Sequence, residues 1–359
     1  MRLEALEAIP YSLPFREPYV TSRGELTERR LILLRIRADG IEGLGETAAL
    51  SLRGGPDLEE IARQLTELCR PALEEGPIDT DRLWSALARC RNRGISAEAL
   101  AAIDIALHDL AAKAIEVPVW RLLGAERAEP VPCNATLPAA NPTRLRTLAN
   151  GWAAEGFETF KLKVGLPGDV TQVATIREAL GPGVRIRVDA NAAWTVEEAS
   201  DRLRAMSRHT IEIAEQPVGG LDAMALLRSR TRIPLAADES VASPRDARQA
   251  VELGACELAT VKLAKVGGVA AALEIARVLP VYLSSALEGP VAITAAAHVA
   301  QAIARGLPSD LAHGLATERL FSATIGSGAK LRRGRLELAD SPGLGVEIDD
   351  EALAGRRLD

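Results

Sequence analysis

Five charged residues stand at the ends of short apolar runs in the second half of the chain. They are Lys163 in FKLKV, Asp189 in RIRVD, Glu215 in IEIAE, Asp238 in IPLAAD and Lys262 in LATVK. The intervals between them are 26, 26, 23 and 24 residues, the span of one strand plus one helix. A (β/α)8-type, TIM-like barrel collects the C-terminal ends of its strands on one face, where its chemistry sits. On that face Asp189, Glu215 and Asp238 would converge. Three carboxylates without a counter-ion repel one another and raise each other's pKa. A hard divalent cation removes that cost, and all-oxygen ligation favours Mg²⁺, with Mn²⁺ admissible. A single strand-end carboxylate can as well cap the following helix; three in register point to a metal.

Lys161 and Lys163 lie two apart on one strand, so both side chains take the same face. Mutual repulsion and burial are expected to lower their pKa values, which suits a general base near neutral pH. A K-x-K pair alone fits a solvated strand face equally well; its place one βα unit before Asp189 gives it weight. Lys262 ends the sixth strand, across the barrel mouth from Lys163, so a substrate on the metal would lie between two lysines. Lys265 reads as loop or helix start. Gly267-Gly268 would let backbone approach a ligand closely.

The elements that must position these residues are legible. With 359 residues, 47% of them hydrophobic and 26% charged, the chain has room for about two domains with sizeable cores. RLEALEAIPYSL and RRLILLRIRADGIEGLGE alternate as strands, with Asp39-Gly40 as a hairpin turn. From about residue 56 the period becomes helical, with helix starts at Pro56-Asp57 and Asp79-Thr80-Asp81. Strands followed by helices mark an α+β domain over 1–125. Strand patterns then recur at 130–136, 158–164, 184–189, 211–215, 233–238, 258–263, 280–285 and about 309–313. Helical patterns lie between most of them, so 126–325 reads as a modified (β/α)8 barrel. No glycine-rich phosphate turn follows the first strand, as an open doubly wound sheet would more often have. Residues 326–359, with strand-like KLRRGRLEL and GLGVEID, are expected to return to the N-terminal domain.

Composition excludes several classes. The net charge is −6, and no basic stripe interleaved with aromatics suggests nucleic acid. No apolar run reaches a membrane span; the stretch 286–304 contains Glu288, Pro290 and His298. MRLEALEAIP lacks a signal-peptide pattern. Cys69, Cys90, Cys133 and Cys256 are far apart and read as buried free thiols, so a cytoplasmic setting is expected. The four histidines do not cluster at strand ends, which argues against a histidine-ligated hydrolase barrel.

The set FKLKVG, VDANAAW, IAEQPV, AADES and VKLAKVGG resembles the enolase superfamily, in its muconate lactonizing enzyme subgroup, over nearly the whole chain. GLGE at 43–46 extends the resemblance into the capping domain. The resemblance implies removal of a proton α to a carboxylate, through an enediolate stabilised by Mg²⁺. It implies Asp189, Glu215 and Asp238 as metal ligands, Lys163 and Lys262 as the acid/base pair, and Lys161 as a supporting cation. Asn191 and Glu239 would orient the ligands. A retained binding protein would be expected to lack one of these groups, and none is missing.

The subgroup contains cycloisomerases, o-succinylbenzoate synthases, N-succinylamino acid racemases and dipeptide epimerases. Ser284-Ser285-Ala286-Leu287-Glu288 resembles the S-S-x-x-E stretch of o-succinylbenzoate synthases, and HGLATERLF resembles a later segment of that group. Dehydration in menaquinone synthesis is therefore the expected reaction, with N-succinylamino acid racemisation as a second activity. Dipeptide epimerases usually carry D-x-D on the eighth strand; Asp310-Leu311-Ala312-His313 lacks the second aspartate. Ser284, Ser285, Glu288 and Gly289 are expected to contact a small carboxylate substrate. The Tyr19–Gly24 and Leu50–Gly55 loops should cover it, with Tyr19, Arg23 and Arg53 as candidate contacts. A homo-oligomer is compatible with this reading.

Overall fold

The structure is a computed structural model that describes residues 1–21, 24–50, 54–303, 308 and 310–358. Its first part is an antiparallel meander of β1 (Leu3–Thr21), β2 (Gly24–Ala38) and β3 (Ile41–Ala48). Asp39 and Gly40 turn between β2 and β3 with φ of 48° and 75°, the positive pair that a two-residue hairpin needs. The run LILL in β2 is apolar throughout because both faces are buried, and Ile36 continues it beyond the half-buried Arg35. Ile32, Leu34 and Ile36 join the core under the helices, whereas Leu31 and Leu33 join the core shared with the barrel. The helix Ala97–Ala114 lies against β3. At Gly45 an added Cβ would stand 2.0 Å from the carbonyl oxygen of Ala102, so only glycine permits this approach. Asp57 caps the first helix, accepting from the Glu60 amide at 2.8 Å.

The barrel follows. After β4 (Val131–Pro132), the parallel strands are β5 (Asn134–Leu137), β6 (Thr159–Lys163), β7 (Arg185–Asp189), β8 (Ile211–Glu215), β9 (Leu235–Ala237), β10 (Leu258–Val261) and β11 (Val281–Leu283). They form one seven-stranded sheet in sequence order. The eighth position differs from the strand expected at about 309–313. It is filled by His313 and Gly314, which bridge to Cys133 and to Ser284. The amide of Leu283 donates to His313 Nδ1 at 2.9 Å, so a side chain replaces part of the ladder. At Gly314 an added Cβ would meet Ser284 Oγ at 2.7 Å.

The C-terminal segment divides its contacts. β12 (Gly326–Ser327) pairs with β15 (Glu347–Ile348), and β13 (Lys330–Arg332) and β14 (Arg335–Glu337) form a hairpin on β4, the short strand that precedes the barrel sheet. Strands 330–337 thus do not join the capping sheet. The return to the N-terminal part is made farther on: Leu344 donates to Asp109 at 2.7 Å, and Leu358 donates to the Pro10 carbonyl at 2.9 Å. The four cysteines are free, three buried and Cys256 half-buried. Among the described residues no helix is long and apolar enough to cross a membrane.

Candidate active site

Strand register sets the charged residues side by side. Lys163 is opposite Asp189, Asp189 is opposite Glu215, and Glu215 is opposite Ala236, two residues before Asp238. Alternation turns Lys161 and Lys163 inward from β6. In a ring of eight positions β6 and β10 are four apart, so Lys163 and Lys262 approach from opposite sides of the mouth.

Asp189, Glu215 and Asp238 are all within 1% of complete burial. Lys161 Nζ reaches Asp189 Oδ2 at 2.8 Å and Glu215 Oε1 at 2.7 Å. Lys163 Nζ donates to the same Asp189 oxygen at 2.6 Å and to Asn191 Oδ1 at 2.9 Å. Lys262 holds Asp238 Oδ2 at 2.5 Å, and Lys265 holds Asp238 Oδ1 at 2.9 Å. Asn191 passes the network on to Glu239 at 3.1 Å; its φ of 48° lies in the left-handed region that asparagine tolerates.

Burial pushes the Asp189 carboxyl up, but Lys161 and Lys163 outweigh it and hold the group below its ordinary range. Burial and the neighbouring Asp189 charge raise Glu215. The expected lowering of the two β6 lysines is not what this charge arrangement gives. Burial is the largest single influence and lowers Lys161 and Lys163, yet Asp189 and the other acidic groups around them together outweigh it, and their pKa values lie above the ordinary one. Sequence reasoning counted the neighbouring ammonium but not the carboxylate directly across the strand.

The residues suit a hard divalent ion in donor chemistry: three buried, oxygen-only carboxylates on neighbouring strand ends, near enough to repel one another. Their charge is balanced by lysines instead. Among the described residues no three acidic, histidine or cysteine side chains surround one point closely enough to hold an ion as they stand.

Above this floor lies a cavity of about 210 Å³. Lys161, Lys163, Lys262, Lys265, Asn191, Ser284 and Ser285 line it from the barrel, and Tyr19, Leu26, Arg29 and Leu50 from the capping part. Two expected contacts are placed elsewhere. Glu288 is buried behind the loop, accepting from the Ala286 amide at 2.5 Å. Gly289 faces the capping part, where an added Cβ would stand 2.5 Å from Glu46 Oε1; its close approach is to protein, not ligand. Arg23 and Arg53 lie outside the described residues. Asp310 points away from the cavity and pairs with Arg185 near the start of β7.

Sequence reasoning passed over several residues here. Lys265 does lie in the short helix that follows Lys262, as its position suggested, but its contact with Asp238 was not expected. Gln216 fixes the Asp238 segment: its Oε1 accepts from the Asp238 amide at 2.8 Å and its Nε2 donates to Ser240 Oγ at 2.7 Å. Arg29 and Thr317 reach the cavity only through tertiary folding.

Known families match this architecture along most of the chain. Residues 7–124 match the mandelate racemase / muconate lactonizing enzyme N-terminal domain, and residues 144–352 match the enolase C-terminal domain-like family. The chain belongs to the enolase superfamily. Within it, the muconate lactonizing enzyme subgroup is its place, and it is an enzyme of that superfamily. It is 31% identical to an N-succinyl-L-Arg/Lys racemase of Bacillus cereus, over 98% of this chain and 97% of the relative. The crystal structure of that racemase covers the whole chain, and 99% of its own, with a TM-score of 0.93. An o-succinylbenzoate synthase of Thermobifida fusca is 39% identical over 54% of this chain and 62% of the relative. A dipeptide epimerase from Enterococcus faecalis, solved with Mg and the dipeptide L-Leu-L-Tyr, is 26% identical over 97% of this chain and 100% of its own, with a TM-score of 0.88.

Proposed function

We propose that the protein removes the proton α to a carboxylate of a small, anionic substrate and that its reaction is o-succinylbenzoate synthesis by dehydration. Asp189, Glu215 and Asp238 would hold Mg²⁺, in keeping with the donor set and with the Mg-bound relatives. Bound there, the ion would offset the carboxylate field that keeps the lysines protonated, and would stabilise the negative charge of the enediolate. Lys163 takes the α-proton. Lys262, from the opposite side, holds a positive charge against the enediolate. The C–O bond then breaks as the ring becomes aromatic, and the hydroxyl leaves as water with the proton that Lys163 had taken. Asn191 orients the Lys163 ammonium, and Lys265 holds Asp238.

The observation that carries the substrate class is the lining of the cavity. Among the described residues that line it, none is an aspartate or glutamate. Its charged lining is cationic, from Arg29 and four lysines; uncharged polar groups such as Asn191, Ser284, Ser285 and Thr317 join them, and the rest is apolar, with Leu26, Leu50, Val164, Leu166 and Leu287. A free ammonium, as in an unblocked dipeptide, finds no carboxylate there, because Asp310 is held by Arg185 elsewhere. A dicarboxylate with an apolar ring or an acylated amine suits the wall better.

N-succinylamino acid racemisation is the second reading. It is favoured by the two opposed lysines and by the full-length likeness to the Bacillus cereus racemase. The test is to incubate the protein and Mg²⁺ with the hydroxycyclohexadiene precursor of menaquinone synthesis, N-succinylamino acids, L-Ala-L-Glu-type dipeptides and muconate. Dehydration of the first, with slower racemisation of N-succinyl substrates, is expected. Turnover confined to free dipeptides or to muconate would overturn the reading.

A further inference from the structure

The floor of the site contains a residue that its chemistry does not yet use. Tyr282 is the middle residue of β11 and points into the barrel, where it is completely buried beside Ile213, Ala236 and Leu258. A phenylalanine would fill that space equally well. The hydroxyl is the difference, and a buried hydroxyl costs stability unless it is paired. Tyr282 donates it to Glu215 Oε2. Lys161 Nζ reaches both oxygens of the same carboxylate, Oε1 at 2.7 Å and Oε2 at 2.6 Å, so Tyr282 is its neutral donor.

The ring is itself held from below. The Arg187 guanidinium stands 4.7 Å from its centroid. Arg187, also completely buried, is fixed by Glu212 Oε2 at 2.6 Å and by the Ala312 carbonyl at 2.7 Å. A continuous strut thus runs from Glu212 through Arg187 and Tyr282 to Glu215.

We propose that Tyr282 is a positioning residue that fixes the Glu215 carboxylate for a divalent cation. The inference rests on the proposed role of Glu215 as a metal ligand. A phenol suits the task because it is a neutral donor. It orients the carboxylate without adding to the lysine charge that competes with a cation. Hydrogen-bond partners of metal ligands change metal affinity about 10- to 100-fold when removed.

The experiment is calorimetric Mg²⁺ titration of the wild type, Tyr282→Phe and Asp189→Asn, with the melting temperature of each in chelator. Tyr282→Phe is expected to raise the Mg²⁺ Kd about 10- to 100-fold. A change in the chelator melt with an unaltered Kd would overturn the proposal and leave Tyr282 as core filling. A wild type that takes up no Mg²⁺ would remove the metal reading and this inference together. As a second measurement, Mg²⁺ should produce a near-ultraviolet tyrosine difference spectrum in the wild type and in Tyr19→Phe. A folded wild type whose tyrosine spectrum ignores bound Mg²⁺ would also overturn it, whether or not Tyr282→Phe folds.

Discussion

Glu46, at the junction of the capping sheet and the barrel, should make the protein less stable as pH rises through neutrality. Its carboxyl is almost completely buried. Tyr11 donates to Oε1, and the amide of Ala292, in the first turn of the helix Pro290–Ile303, donates to Oε2 at 2.9 Å. Burial is the largest influence, and it outweighs these donors, so the pKa is raised from 4.5 to about 7. A raised value means that the folded state keeps a proton the unfolded chain has released. The contribution is fully present below pH 4.5 and is lost as pH rises to about 7. At about 1.4 kcal/mol per pH unit the loss comes to roughly 3 kcal/mol. Glu46→Gln keeps the shape and removes the titration. Its amide can accept from Ala292 while donating to Tyr11, whose hydroxyl can turn to accept. Urea unfolding of both proteins from pH 5 to pH 8 measures the difference directly. Glu288 also titrates high from burial, but it is present in both proteins and cancels to first order. The variant should gain roughly 2–3 kcal/mol on the wild type across that window. A stability difference that stays flat with pH would refute the reasoning.

Lys163→Ala should abolish exchange of the substrate α-proton with deuterated solvent while the far-ultraviolet circular dichroism stays that of the wild type; retained exchange would remove Lys163 as the base. Gly45→Ala should destabilise the protein at the upper end of about 1–3 kcal/mol, read by urea unfolding, because the new Cβ meets a backbone carbonyl at 2.0 Å. Burial lowers His298 to about 4 and His313 to about 3. Both therefore favour the folded state above pH 6.5 and cease to do so as pH falls through those values. His298→Gln should flatten the acid side of the melting-temperature profile, and an unchanged profile would count against the assignment.

The placement of the charged residues was largely legible in the sequence because strand alternation and a repeated βα length act locally. A charged residue at the end of each apolar run needs only those two rules to arrive at one mouth, and Lys163, Asp189 and Glu215 indeed sit in direct cross-strand register. Burial on both faces likewise explains LILL in β2, a pattern that sequence alone cannot divide between two cores. What the tertiary structure decided are the contacts between residues far apart in the chain. Asp189, with the other acidic groups around Lys163, reverses the expected pKa direction. Gly289 is assigned to Glu46 rather than to ligand, and Asp310 to Arg185. The eighth barrel position is completed by His313, partly through its imidazole, and Gly314, not by a strand. The end of the chain meets both parts of the molecule. None of these has a period, a motif or a propensity behind it. Each depends on which distant surface the folded chain brings within a few ångströms, and the charge field of a site is the sum of such encounters.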